Sequence, residues 1–96
     1  MKTLPADVAP YKRTSDFTET TVPAALLKAH DTKAGVLGRI VVTEGQLRYR
    51  ILEPALEEHI LDSGHFGVVE PQVKHEVEPL GAVCFHVEFL RRVEQD

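Results

Sequence analysis

Five histidines, at positions 30, 59, 65, 75 and 86, are the side chains of this 96-residue chain best suited to chemistry near neutral pH. Imidazole changes charge there without any perturbation and is also a common metal ligand. Their spacing makes no HExxH pair, and the chain carries no CxxC, P-loop, GxGxxG or GxSxG sequence. The only serines, Ser15 and Ser63, fall in an N-terminal arm and a turn, away from any nucleophile elbow, so a serine hydrolase is a poor reading. The single cysteine, Cys84, excludes an internal disulfide and any cysteine-rich zinc site. It stands in the apolar run Ala82-Val83-Cys84-Phe85, where a buried, inert thiol is expected.

The elements that must position these histidines are mostly strands. Residues 1–20 are polar, with prolines at 5 and 10, and read as an extended arm with at most a short strand around Tyr11–Arg13. Thr21-Val22-Pro23 followed by good helix formers predicts a short capped helix over 21–30. From Val36 the period becomes two: Val36, Gly38, Ile40 and Val42 share one face. Glu44-Gly45 reads as a tight turn, and Leu47, Tyr49 and Ile51 continue the inward alternation, which predicts a hairpin. Residues 53–58 read as an acidic loop or single helical turn. Short strands are then expected at His59–Leu61, Phe66–Val69 and His75–Val77, and Val83, Phe85, Val87 and Phe89 close the series. Short strands between Gly and Pro turns argue for an all-β barrel or sandwich over residues 36–92.

Composition is that of an ordinary globular domain, 43% hydrophobic and 27% charged, with room for one core. The formal net charge of −4, with basic residues scattered, leaves no electrostatic footprint for nucleic acid. No apolar stretch approaches membrane-spanning length and the N-terminus has no apolar leader, so the chain reads as soluble and cytoplasmic.

The segment Gly64-HFGVVE-Pro71-QVK-His75 resembles the second conserved motif of cupins, in which a histidine opening a strand points into the barrel. The proline is displaced by one position and the usual glycine between it and the histidine is absent. In the first cupin motif, counted back from Gly45, the glutamate slot holds Gly38 and the paired-histidine slots hold Asp31 and Lys33. The chain also resembles, nearly end to end, a narrower family, the TehB/YeaR-like domain. The resemblance rests on Pro10-Tyr-Lys-Arg-Thr14, Thr21-Val-Pro23, His30-Asp-Thr-Lys33, Glu44-Gly-Gln-Leu-Arg-Tyr49, Glu70-Pro71 and His75-Glu-Val-Glu-Pro79. One departure is Leu37, where tryptophan is usual. That family is a cupin-like domain found alone or fused before the methyltransferase of certain tellurite-resistance proteins. With no glycine-rich nucleotide loop in the sequence, methyl transfer and a nucleotide cofactor are not expected to carry over.

The resemblance implies a single domain over 1–96, an all-β cupin-like jelly-roll barrel or sandwich with a short N-terminal helix, and a homodimer. His30 and His75 become candidate metal ligands, for zinc or another first-row divalent ion, with the third ligand unnamed. Lys33, Gly38, Tyr49 and Glu70 become candidate pocket-lining residues. The plainer alternatives stay open: His75 hydrogen-bonded to backbone at a strand end, and His30 at a helix C-terminus. His59 and His65 are expected to face solvent, and His86 to point outward or into a partner subunit. Arg48 and Glu88 are a candidate cross-strand pair. The expected partner is a small molecule or anion, with neither nucleic acid nor membrane. The expected function is binding of a metal or small ligand in tellurite, oxyanion, metal or nitrogen-oxide stress. A metal-dependent enzyme and a non-catalytic accessory module are the alternatives, and whether the chain is an enzyme at all is left open.

Overall fold

The alternation of apolar and polar residues builds eight strands in the computed structural model, which describes residues 1–93. They are β1 (Val8–Arg13), β2 (Phe17–Thr18), β3 (Leu37–Glu44), β4 (Leu47–Ile51), β5 (Glu57–Leu61), β6 (Gly67–Val69), β7 (His75–Pro79) and β8 (Cys84–Arg92). Every pairing is antiparallel. One sheet has the order β1-β8-β3-β6, with β2 also on β8, and the other the order β5-β4-β7. The fold is all-β, as expected, but the sheets are open and no closed barrel forms among the described residues.

The two sheets share one core. The larger sheet contributes Ile40, Val42, Val69 and Phe85, and the smaller contributes Leu47, Tyr49, Leu61 and Val77. The faces predicted from periodicity hold: Gly38, Ile40 and Val42 are buried on β3, as are Leu47 and Tyr49 on β4. Burial of such side chains is the main favourable term, roughly 1.5–3 kcal/mol each.

The predicted hairpin at Glu44-Gly45 does not form. β3 pairs with β6 and β8, whereas β4 pairs with β5 and β7, so the chain changes sheets at this turn. The cause is packing. The pairing of β3 with β8 is irregular between Val42 and Glu44, and Gly45 has φ +76°. A Cβ on Gly45 would stand 2.1 Å from the Ala82 carbonyl oxygen, so the corner is pressed against the start of β8 and only glycine fits.

The helix expected over 21–30 shrinks to one 3₁₀ turn, Ala24–Leu27, with no side-chain cap. The Thr21 hydroxyl is taken instead by the Thr18 backbone N–H at 2.8 Å, and the Thr21 N–H donates to the Thr18 carbonyl. A threonine that bonds backwards in this way stabilises the turn before the helix and cannot cap it. The arm of residues 1–20 carries more structure than predicted, namely β1 and β2, which both lie on β8.

Candidate functional site

Between the sheets lies a cavity of about 230 Å³ whose walls come from both layers. Phe17, Ile40, Phe85, Val87 and Phe89 line it from the larger sheet, Val77 and His75 from the smaller, and Leu26 from the 3₁₀ turn. Gly38 lines it as well: its missing side chain leaves space, since a Cβ there would sit 3.1 Å from Val69 Cβ. Lining of this kind accepts an apolar body.

The polar groups in the wall are few and mostly engaged. The Thr14 hydroxyl donates to the Ser15 carbonyl and accepts from the Val87 N–H. The Thr32 hydroxyl donates to the Val36 carbonyl at 3.0 Å. That leaves the two imidazoles. His30 and His75 are joined by a two-way backbone bridge, His30 N–H to the His75 carbonyl at 2.7 Å and His75 N–H to the His30 carbonyl at 2.8 Å. Their rings meet edge to face with centroids 5.5 Å apart, and the Tyr49 ring stands edge-on to His75 at 5.9 Å.

His75 is only 4% exposed. Its Nδ1 lies 3.2 Å from the Val73 carbonyl, where it acts as donor. Burial holds its pKa below the ordinary histidine value, and the neighbouring His30 adds to this. The Val73 carbonyl and Asp31 oppose the shift without reversing it. The ring is therefore a neutral imidazole at pH 7, with Nδ1 committed to backbone.

The sequence candidates separate accordingly. His30, His75 and Gly38 line the cavity, and Lys33 lines an adjoining cleft. Tyr49 is buried in the core at 1% exposure, and its hydroxyl donates to the Val68 carbonyl at 2.9 Å, so it does not line the cavity. The Glu70 carboxylate is partly exposed and lies 3.8 Å from Lys2 Nζ, outside the cavity. His30 is an extended bridge residue, not the end of a helix. His65 is exposed beside Asp62, and His59 is half-buried beside Glu57. His86 lies on the face of β8 opposite the cavity, in a surface cleft with Arg13, Arg39 and Glu88, as expected, but it is 8% exposed, and its Nδ1 makes no hydrogen bond among the described residues. Glu88 pairs with Arg39 directly across β3 and β8, while Arg48 pairs with Glu78.

One residue of the cavity wall and one of the core beneath it had no role in the sequence reading. Phe17 lines the cavity and stacks edge-on against Phe85 at 5.7 Å, and Gly67, outside the wall, lies so close under Tyr49 that a Cβ would meet Leu61 Cδ1 at 2.8 Å. The arm around Phe17 looked polar, and nothing local distinguishes Gly67 from a turn glycine.

The fold and site define a two-sheet antiparallel β domain enclosing a small, imidazole-edged apolar cavity. The chain belongs to the TehB-like domain family, whose model matches residues 12–87. It is 35% identical over 74 residues to the probable S-adenosyl-L-methionine-dependent methyltransferase TehB of Haemophilus influenzae, matching 73% of this chain and 26% of that protein. The counterpart from a second strain is 34% identical over the same length. The chain thus spans about a quarter of the length of the curated relatives it matches, 26%. The crystal structure of TehB from H. influenzae superposes with a TM-score of 0.83 at 28% identity, covering 91% of this chain and 32% of that one. A protein of Escherichia coli K12 shares the fold, with a TM-score of 0.86 at 22% identity, covering 98% of this chain and all of that one.

These findings correct the metal reading. No group of three His, Cys, Asp or Glu residues able to hold a metal is found among the described residues. His30 and His75 are held together by backbone bonds, and no carboxylate completes a set with them. The relatives are named for S-adenosyl-L-methionine, not for a divalent ion, which overturns both the expected metal and the expected lack of a nucleotide cofactor. The metal-binding stress protein and the metal-dependent enzyme fall with them, and the cupin-type jelly roll is not supported by the open sheets. No helix among the described residues is long and apolar enough to cross a membrane.

Proposed function

We propose that this chain serves S-adenosyl-L-methionine-dependent methyl transfer, and that its own contribution is to hold a small, largely apolar molecule in the cavity between its sheets. The names of the relatives support the first half, and the cavity supports the second. Tested against the cavity, S-adenosylmethionine does not fit. It carries an ammonium, a carboxylate, a sulfonium and ribose hydroxyls, whereas the lining offers no carboxylate and two threonine hydroxyls already spent. Burying such charges without partners costs several kcal/mol each. At about 230 Å³ the space is also below the ~300–1,000 Å³ usual for drug-sized ligands. The cavity therefore reads as a place for the molecule that receives or follows the methyl group, not for its donor. Residues 1–93 act as one unit in this reading, because both sheets line the same cavity, and the last three residues of the expected 1–96 domain lie outside the described residues.

The observation that carries the proposal is a neutral, buried His75 edge in an otherwise apolar enclosure. A competition titration tests it. Two-dimensional NMR with 2-phenylethanol as a neutral apolar probe is expected to shift resonances of Ile40, Val77 and Val87, and added S-adenosylmethionine is expected to leave that binding unchanged. Leu26→Trp, which plugs the rim from a half-buried position, is expected to abolish the shifts without unfolding the domain. Displacement of the probe by S-adenosylmethionine would make the cavity the donor site and refute this assignment.

A further inference from the structure

We propose that the molecule held in the cavity is a small carboxylic acid, with its apolar body between the sheets and its carboxylate at the mouth between Lys12 and Lys33. This inference rests on the cavity reading above and adds the charge and orientation of the ligand. The cavity shares His30, Thr32 and Phe89 with a surface cleft that also contains Lys12, Lys33 and Asp31. The cleft therefore adjoins the cavity, with Phe89 as the wall common to both, and in this proposal it serves as the cavity's vestibule. Lys12 Nζ sits 5.6 Å from the Phe89 ring centroid, so its ammonium is held over the cavity wall by cation–π attraction. Neither Lys12 nor Lys33 makes an ion pair among the described residues, in contrast to Arg39, Arg48, Arg50 and Arg92, each of which has a carboxylate partner.

Charge balance argues the same way. The chain as a whole is acidic, with formal net charge −4, yet the vestibule sets two ammonium groups against the single carboxylate of Asp31. One net positive charge at the door of an apolar chamber selects a monoanionic head on an apolar body. The inner walls exclude the head, because no hydrogen-bond donor of the threonines is free there and a buried carboxylate without partners is costly. The flexible lysine stems let both ammonium groups follow the head without ordering a rigid pocket.

The experiment is a head-group series on one body: phenylacetate, 2-phenylethanol and 2-phenylethylamine titrated into the intact chain by NMR at low salt. Two partly solvated ammonium contacts strengthen acid binding by about three- to tenfold over the alcohol, and the amine is expected to bind weakest. Raising the salt to about 1 M, where the screening length falls to ~3 Å, is expected to erase the preference. Lys12→Gln/Lys33→Gln, both at exposed positions, is expected to lose the preference while keeping the affinity for the alcohol. Equal binding of acid and alcohol by the unaltered chain, or a preference that survives in the double variant, overturns the carboxylate assignment alone. Failure of all three probes to bind overturns the cavity reading as well.

Discussion

Replacing Tyr49 with Phe removes one oxygen atom from the centre of the domain and leaves the ring, its edge-on contact with His75 and its packing over Gly67 in place. The cost can be worked from the surroundings of that oxygen. The hydroxyl donates to the Val68 carbonyl at 2.9 Å, joining β4 of one sheet to β6 of the other. Tyr49 is 1% exposed and Val68 4%, so water has no route to take over the bond. A typical hydrogen bond contributes about 0.5–1.5 kcal/mol net, and a buried group left without its partner costs about 1–3 kcal/mol. We expect Tyr49→Phe to lie in the upper range, because the apolar area buried by the ring is unchanged and offers no compensation. Each kcal/mol lowers the melting temperature of a domain this size by about 4–8 °C. Urea unfolding followed by far-UV circular dichroism measures it, the shift in midpoint multiplied by a common m-value giving the free energy. Tyr11→Phe is the control: Tyr11 is 43% exposed, and a change there is expected to stay within about 0.5 kcal/mol. Because Val69 beside it lines the cavity, Tyr49→Phe is also expected to weaken binding of 2-phenylethanol. If the two variants unfold at the same urea concentration, the cross-sheet bond does not hold β6 and the reasoning is wrong.

Two further outcomes follow from the same geometry. The folded His75 imidazole has a pKa below its unfolded value of 6.5, so the unfolded chain binds more protons between the two. Stability present above pH 6.5 is therefore lost as pH falls from 6.5 toward the folded value, and urea midpoints in His75→Gln should be flatter across that window. The carboxylates of Glu78, lowered by Arg48 and then Arg50, and of Glu57, lowered by the chain's amino terminus and then His59, act in a separate window below their ordinary 4.5. Gly45→Ala and Gly35→Ala form the other comparison, since both glycines have positive φ, +76° and +78°. A Cβ on Gly35 would have nothing within 4 Å of it, so its variant should lose only the ~1–2 kcal/mol of left-handed backbone strain. Gly45→Ala also drives a Cβ to 2.1 Å from the Ala82 carbonyl, so a midpoint equal to that of Gly35→Ala would show that the sheet-to-sheet corner is not tightly packed.

Much of the domain was legible along the chain. Alternation from Val36 to Ile51 and from Val83 to Phe89 assigned strands and their inward faces, because a pleated strand buries every second residue whatever its partners are. The start of a strand at His75 followed from local pattern and its inward aim from the cupin resemblance, and the structure buries it to 4% exposure. What His75 does there was not local. A metal reading needs three donors converging, and the backbone bridge that sets His30 against His75 links residues 45 positions apart without bringing a third. The corner at Gly45 shows the same limit: a tight glycine turn looks alike whether the next strand pairs back or crosses to the other sheet. The choice was made by β8, which starts against Gly45 and takes β3 as its own partner. The five histidines, then, were visible as residue types from the start, and the sequence alone assigned His59, His75 and His86 to strands. Only the packing of two sheets decided that His30 and His75 would share an apolar cavity, that Tyr49 would bind backbone, and that Lys12 and Lys33, 21 residues apart in number, would line one cleft beside it. Chain-distant contacts of that kind are set by which buried faces fit together, and no local pattern of residues encodes that fit.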